Sequence, residues 1–230
     1  MSYKLLLADN DNTLMDFHAA EKSAIIATFT WAGIAPVEEN TALYSAINAE
    51  LWKALERGEI TQNQLRVLRF ERFLAAIGEN AVNPVAMCDE FVRHLSEGTA
   101  LMPGALDFVK TVSAVMPIAI VTNGISVIQR ARIQSSAIAP FIRHLIISEE
   151  VGAAKPDPRI LREAMALAGI DDNSDVILLG DSETADIEAA NRHGIASIRV
   201  TWSKSGSIPT KATYQAATLA DTLPILLGKS

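Results

Sequence analysis

Chemistry is concentrated in four short stretches of the chain, beginning with Asp9-Asn10-Asp11-Asn12-Thr13. Two carboxylates two residues apart can converge on one substrate atom with different jobs. One can attack phosphorus and become an aspartyl phosphate, which splits a hard displacement into two easier ones. The other can protonate the leaving oxygen and later take a proton from the attacking water. The same residues also suit an Asp- and Asn-rich turn, and a D-x-D-x-T match can arise by chance. The second stretch, Thr122-Asn123-Gly124, stands before a helix start at Ser126. There a hydroxyl and backbone N–H groups make an anion site. The third holds Lys155 between Ala154 and Pro156, a cation able to offset charge on a nucleophile and a transferring phosphoryl group. The fourth runs from Gly180 through Asp181 to Asp186. Its two carboxylates, about one helical turn apart, offer the oxygen ligands that Mg²⁺ prefers. Each of the last three has a plain alternative: a strand–turn–helix junction, a solvated lysine, a helix cap.

These stretches need a frame that brings them together. Short apolar runs at Leu5 to Ala8, Ile118 to Thr122, Leu145 to Ile147, Val176 to Gly180 and Ala196 to Thr201 are each followed by a turn and a helical pattern. That alternation predicts an α/β fold with a parallel sheet covered on both faces. Functional groups in such sheets gather at the carboxyl ends of the strands, where all four stretches fall. Ser126 with Gln129, and Thr61 with Gln64, read as capping boxes. Asp157-Pro158 reads as an N-cap followed by Pro at the first helical position, and Gly194 as a helix stop with His193 just inside it, near the negative end of the dipole.

Between Phe17 and Gly98 the alternation stops. Leu43, Ile47, Leu51 and Leu55 recur every four residues, and Phe70, Phe73, Leu74, Ile77 and Cys88, Phe91, Val92, Leu95 follow helical spacing. With the segment around Ile25, Ile26 and Phe29 this predicts a bundle of about four helices, inserted after the first strand.

Composition narrows the class. A chain of 230 residues, 49% hydrophobic and 20% charged, can bury a large core, as one domain or two. No apolar run is long enough for a bilayer, and Met1 to Lys4 leads into too few apolar residues for an export signal, so no membrane partner is expected. The single cysteine, Cys88, rules out an internal disulfide and suits a cytoplasmic protein. A net charge of −7 with no basic patch argues against a nucleic-acid polymer as partner. It leaves room for a small phosphorylated metabolite.

Taken in order, the four stretches resemble the motifs of the haloacid-dehalogenase-like (HAD) superfamily over the whole chain. The resemblance implies a Rossmann-like parallel sheet core, residues 1–14 and 99–230, with an inserted all-helical cap domain, residues 15–98. It implies Asp9 as nucleophile, Asp11 as general acid/base, Thr122 with Asn123 and Gly124 holding the phosphoryl group, and Lys155 stabilising its charge. Mg²⁺ would be held by Asp9, the backbone carbonyl of Asp11, Asp181 and Asp186, the last directly or through water. The family's dehalogenases lack a carboxylate at the position of Asp11, so its presence favours phosphoryl transfer. Leu51-Trp52, Gly58 to Thr61, Arg69 to Arg72 and Ile147 to Gly152 are similar to the bacterial pyrimidine 5′-nucleotidase branch. That similarity implies a nucleoside monophosphate substrate, in a monomer or homodimer. Ala8 departs from the family, where an aromatic usually precedes the nucleophile; a change in packing is expected rather than in chemistry.

In this family the cap touches substrate, which makes Trp52, Lys53 and Arg57 candidate contacts, beside the plainer alternative of a packed indole and solvated charges. The stretch from Trp202 to Pro209 reads as a mobile loop leaving a strand end on the active-site side. Other readings stay open: a phosphatase for phosphoglycolate or a sugar phosphate, a phosphomutase, or a non-catalytic binder of phosphorylated metabolites.

Overall fold

The computed structural model describes residues 3–202 and 208–228. The chain divides into two compact units, one of residues 1–16 with 99–230 and the other of residues 17–98. Strand β1 (Leu5–Ala8) opens the first unit. The second unit is helical: α1 (Phe17–Trp31), α2 (Glu38–Glu56), α3 (Gln62–Ile77) and α4 (Pro84–Ser96).

The core of the helical unit is aromatic. Phe29 stacks on Phe73 with ring centroids 4.6 Å apart, and Tyr44, Phe70 and Phe91 complete the cluster. Arg69 is buried there with its guanidinium 4.5 Å from the Phe91 centroid and its Nε donating to Arg66 O at 3.3 Å. The face that α2 buries differs from the expected one. Tyr44, Asn48 and Leu51 are buried, whereas Leu43, Ile47 and Leu55 are half-buried. Asn48 is tolerated there because its amide donates to Glu21 Oε1 at 2.6 Å. Thr61 and Gln64 form the expected capping box at the start of α3.

The first unit continues with α5 (Ala105–Ser113), β2 (Ile118–Thr122), α6 (Ser126–Gln134), β3 (His144–Ile147), α7 (Ser148–Val151) and α8 (Arg159–Ala168). Then follow β4 (Val176–Gly180), α9 (Glu188–His193), β5 (Ala196–Val200), β6 (Tyr214–Ala216) and α10 (Leu223–Leu227). The six strands form one parallel sheet in the order β3-β2-β1-β4-β5-β6. Alternation within each strand feeds two cores. Leu6, Ala8, Ile118, Ile120, Ile177 and Leu179 pack with Phe108 and Val109 of α5 and Leu226 of α10. Leu5, Leu7, Ala119, Val121 and Leu178 pack on the other face with Ile160 and Leu161 of α8 and Ala189 and Ala190 of α9. Both faces being covered is why these strands read as uninterrupted apolar runs. Ala8 is fully buried in the first of these cores. The strand order reverses between β1 and β4, the switch point where such sheets open a crevice at their carboxyl ends.

Three local expectations change. Ser126 does not cap α6: its N–H donates to Glu149 at 2.7 Å and its hydroxyl to Glu150, while Gln129 points elsewhere. His193 ends α9 before Gly194, whose left-handed backbone stops the helix. Burial, with Arg162 adding to it, lowers the His193 pKa, the opposite direction to the one a helix dipole favours. The start of α8 also shifts by one residue: Pro158 stands at the N-cap rather than in the first turn, and Asp157, one residue before it, accepts the Arg159 N–H at 2.9 Å. Among the described residues no helix is long and apolar enough to cross a membrane.

Candidate active site

Asp9 follows β1 directly, its N–H donating to Leu179 O of β4 at 2.8 Å, so the backbone of the neighbouring strand fixes its position. Asp181 follows the last residue of β4. Asp186 is carried back to the same place by a π-helical turn, Glu183–Ile187, in which Ile187 N–H donates to Ser182 O at 3.1 Å. Such turns collect at functional sites because they re-aim a side chain without ending the helix. Ser182 secures the turn, its hydroxyl accepting from Ala185 N–H and its own N–H donating to Asp186 Oδ2 at 3.0 Å. Gly180 is required by the same packing: a Cβ there would lie 2.3 Å from the Asp186 carboxylate. Arg199 of β5 braces the loop, donating to Asp181 O at 3.2 Å and to Glu183 Oε2 at 3.0 Å.

Carboxylate oxygens of Asp9, Asp181 and Asp186 lie within 4.8 Å of one another. Lys155 meets them, buried, with Nζ 2.6 Å from Asp9 Oδ1 and 2.7 Å from Asp186 Oδ1, and donating to Val121 O at 2.7 Å. The Lys155–Pro156 peptide is cis. Asn123 splints this loop from β2, its side chain accepting Lys155 N–H at 2.7 Å and donating to Lys155 O at 2.8 Å. Thr122 is buried, its hydroxyl accepting the Gly124 N–H at 3.1 Å.

The charges are unevenly balanced. Burial, with Asp186 and Asp181 adding to it, pushes the Asp9 pKa well above the carboxylate range, and Lys155 opposes that rise only in part. Asp181 is pushed up to about 6 by burial and by Asp186. Burial pulls the Lys155 ammonium down, yet Asp186 and Asp9 outweigh it and hold its pKa above the usual value. Three crowded carboxylates facing one ammonium leave a deficit of positive charge. Their hard oxygen donors suit Mg²⁺, so the residues present fit that ion.

Asp11 stands apart from the cluster. Its Oδ2 accepts from Gln129 Nε2 at 2.6 Å and its Oδ1 from the buried Arg132, both on α6. Thr13 donates to Asp181 Oδ1 at 3.4 Å and so ties the first motif to the fourth. Asn12 has a left-handed backbone, φ 60°, and its carbonyl accepts from the Trp202 indole at 2.7 Å. Residues 203–207 of the expected mobile loop lie outside the described residues.

Asp9, Lys155, Asp181 and Asp186 thus come together, with Thr122, Asn123 and Gly124 on the adjacent β2 end and Asp11 turned to α6. Trp52, Lys53 and Arg57 belong to the helical unit, at the end of α2. Trp52 is half-buried, Lys53 is exposed, and Arg57 pairs with Glu59 at 2.6 Å. Arg69 and Phe70 are core residues of that unit, so their likeness to the nucleotidase branch is one of packing. Gln129, Arg132 and Arg199 went unrecognised in the sequence. A Gln and an Arg three residues apart in Ser126–Gln134, on the side of the helix that also carries Ile128 and Ile133, were the available signal.

A family model described as haloacid dehalogenase-like hydrolase matches residues 3–194. The chain belongs to that family. It is an enzyme, a hydrolase of the phosphatase class. It is 32% identical over 193 residues to the HAD-hydrolase YfnB of Bacillus subtilis, covering 84% of this chain and 82% of that protein. Pyrimidine 5′-nucleotidase PynA of Streptococcus pneumoniae is 31% identical, over 86% of this chain and 84% of its own length. Pyrimidine 5′-nucleotidase YjjG of Escherichia coli is 30% identical over 85% of both. A crystal structure of YfnB bound to magnesium superposes with a TM-score of 0.91 at 29% identity, covering 98% of this chain and 99% of that one.

Proposed function

We propose that this phosphatase is a Mg²⁺-dependent 5′-nucleotidase acting on pyrimidine nucleoside monophosphates through an aspartyl phosphate on Asp9. The observation that carries the chemistry is the buried trio Asp9, Asp181 and Asp186 with Lys155 bridging two of them. Similarity to PynA and YjjG along most of the chain supports the substrate class.

An Asp9 carboxylate oxygen attacks phosphorus as the ester P–O bond breaks, and the departing oxygen takes its proton from Asp11. A water oxygen then attacks the phosphorus of the aspartyl phosphate and gives a proton to Asp11. The bond to Asp9 breaks and inorganic phosphate leaves. Lys155 offsets charge on Asp9 and on the phosphoryl oxygens, while Thr122 and the N–H groups at Asn123 and Gly124 bind those oxygens. Asp9, Asp181, Asp186 and the backbone carbonyl of Asp11 would hold Mg²⁺, which supplies further positive charge to the transferring group. Trp52, Lys53 and Arg57 would contribute contacts to the nucleoside from the helical unit. A cytoplasmic setting agrees with the buried free Cys88.

Phosphate release from dUMP, dTMP, UMP, AMP, phosphoglycolate and glucose 1-phosphate, with Asp9→Asn as blank, tests the reading. Pyrimidine nucleotides should lead and the variant should be inactive with its fold intact. A different leading substrate would overturn the nucleotidase assignment, and an active Asp9→Asn variant the covalent mechanism. Isomerisation of the sugar phosphate with little phosphate released would indicate a mutase.

A further inference from the structure

We propose that Gln129 and Arg132 are positioning residues for Asp11, holding its carboxyl group out of the Asp9–Asp181–Asp186 cluster and aimed for proton exchange with the substrate's leaving oxygen. This inference rests on the acid/base role given to Asp11 above.

The two side chains lie one turn apart on α6 and both are buried, Gln129 2% exposed and Arg132 0%. Between them they grip both oxygens of Asp11, Gln129 Nε2 at 2.6 Å from Oδ2 and Arg132 Nη1 at 2.5 Å from Oδ1. The Gln129 amide is oriented in turn, since its Oε1 accepts from Asn10 Nδ2 at 2.6 Å. Turning it round would set two donors, and then two acceptors, against each other. Gly124 gives Gln129 its path: a Cβ at that position would lie 2.2 Å from Gln129 Nε2 and 2.6 Å from its Cγ. A buried guanidinium and a buried carboxamide are costly to desolvate, and here both are directed at one partly exposed carboxylate.

The result is a separation of charge. Lys155 serves Asp9 and Asp186, and Arg132 serves Asp11. Asp11 therefore has its own counter-charge and is not drawn towards the other carboxylates' cation. When Oδ2 carries the proton it can donate to the substrate oxygen while its remaining lone pair still accepts from Gln129, and Arg132 keeps Oδ1 in place. Aim matters, because a reacting group displaced by about 1 Å can lose about a hundred-fold in rate.

Leaving-group dependence separates this role from a merely structural one. In the first step the ester electron pair departs with its oxygen; an alkyl oxygen needs the Asp11 proton, whereas 4-nitrophenolate leaves without it. The experiment measures kcat/KM, which extends through ester cleavage, for the best-cleaved alkyl phosphate and for 4-nitrophenyl phosphate. It compares the unaltered enzyme with Q129M, R132K and D11N. The aryl-to-alkyl ratio should rise about ten-fold or more in Q129M, in the same direction in R132K, and further in D11N. If Q129M lowers both substrates by one factor while D11N still shifts the ratio, the positioning role is overturned and the assignment of Asp11 survives. An unshifted ratio in D11N would remove the acid assignment itself, and this inference with it. Q129M, which keeps the side chain's length and removes its polar atoms, decides the matter should R132K fail to fold.

Discussion

Lys155 is the residue on which the site's electrostatics turn. It is 2% exposed, with its ammonium 2.6 Å from Asp9 and 2.7 Å from Asp186. Removing one member of a buried ion pair typically costs about 3–5 kcal/mol because the partner is left buried and uncompensated. Lys155→Met should therefore destabilise the protein by about that amount near neutral pH, besides abolishing turnover. The sign of the pH dependence follows from Asp9, whose folded pKa is already raised by burial and the neighbouring acids. Without the ammonium it rises further, so the charged form is the expensive one and protonation relieves it. The deficit should shrink as the pH falls. Urea unfolding of both proteins at neutral and at acid pH checks this; a deficit independent of pH would mean that lost packing, not lost charge, is responsible.

At the scale of elements, the sheet was legible because strands buried on both faces advertise themselves as apolar runs, and each motif sits at such a run's end. β6 escaped because three residues at a sheet edge, Tyr214–Ala216, carry no period. α2 was legible as a helix but not in its buried face, since Asn48 takes a core position only through its bond to Glu21, 27 residues away. Gln129 was misread because the local capping rule fitted it, while its actual partners, Asn10 and Asp11, are more than a hundred residues distant. The π turn after β4 was equally hidden, and it depends on Gly180. Gly180→Ala would place a Cβ 2.3 Å from the Asp186 carboxylate, which must then move. The expected outcome is a protein that still folds but gains much less melting temperature from Mg²⁺ than the parent. A full Mg²⁺ response in Gly180→Ala would exclude Asp186 from the ion's surroundings.

Across the whole molecule the net charge is −7, and part of it is compressed into three carboxylates within 4.8 Å of each other. Their effect on stability has a definite direction. Asp181 titrates at about 6 in the fold, against an ordinary value of 3.8, because burial and Asp186 penalise its charge. A carboxyl raised in this way contributes stability that is complete below the ordinary value and is lost as pH rises through about 6. A shift of about two units corresponds to a contribution on the order of 3 kcal/mol. Metal-free protein should accordingly weaken from about pH 4 to about pH 7, apart from what other groups contribute. Mg²⁺ reverses the sense: at about pH 5 it must displace a proton from Asp181, and at about pH 7 it need not. The rise in melting temperature on adding Mg²⁺ should therefore grow across that interval as Asp181 loses its proton, and go on growing above it because Asp9 is raised as well. Taking the difference with and without the ion cancels titrations elsewhere in the chain. Asp181→Asn should remove the part of that growth centred near 6. If the parent's profile is already flat, Asp181 does not hold the ion, and the charge deficit among these carboxylates must be met in some other way.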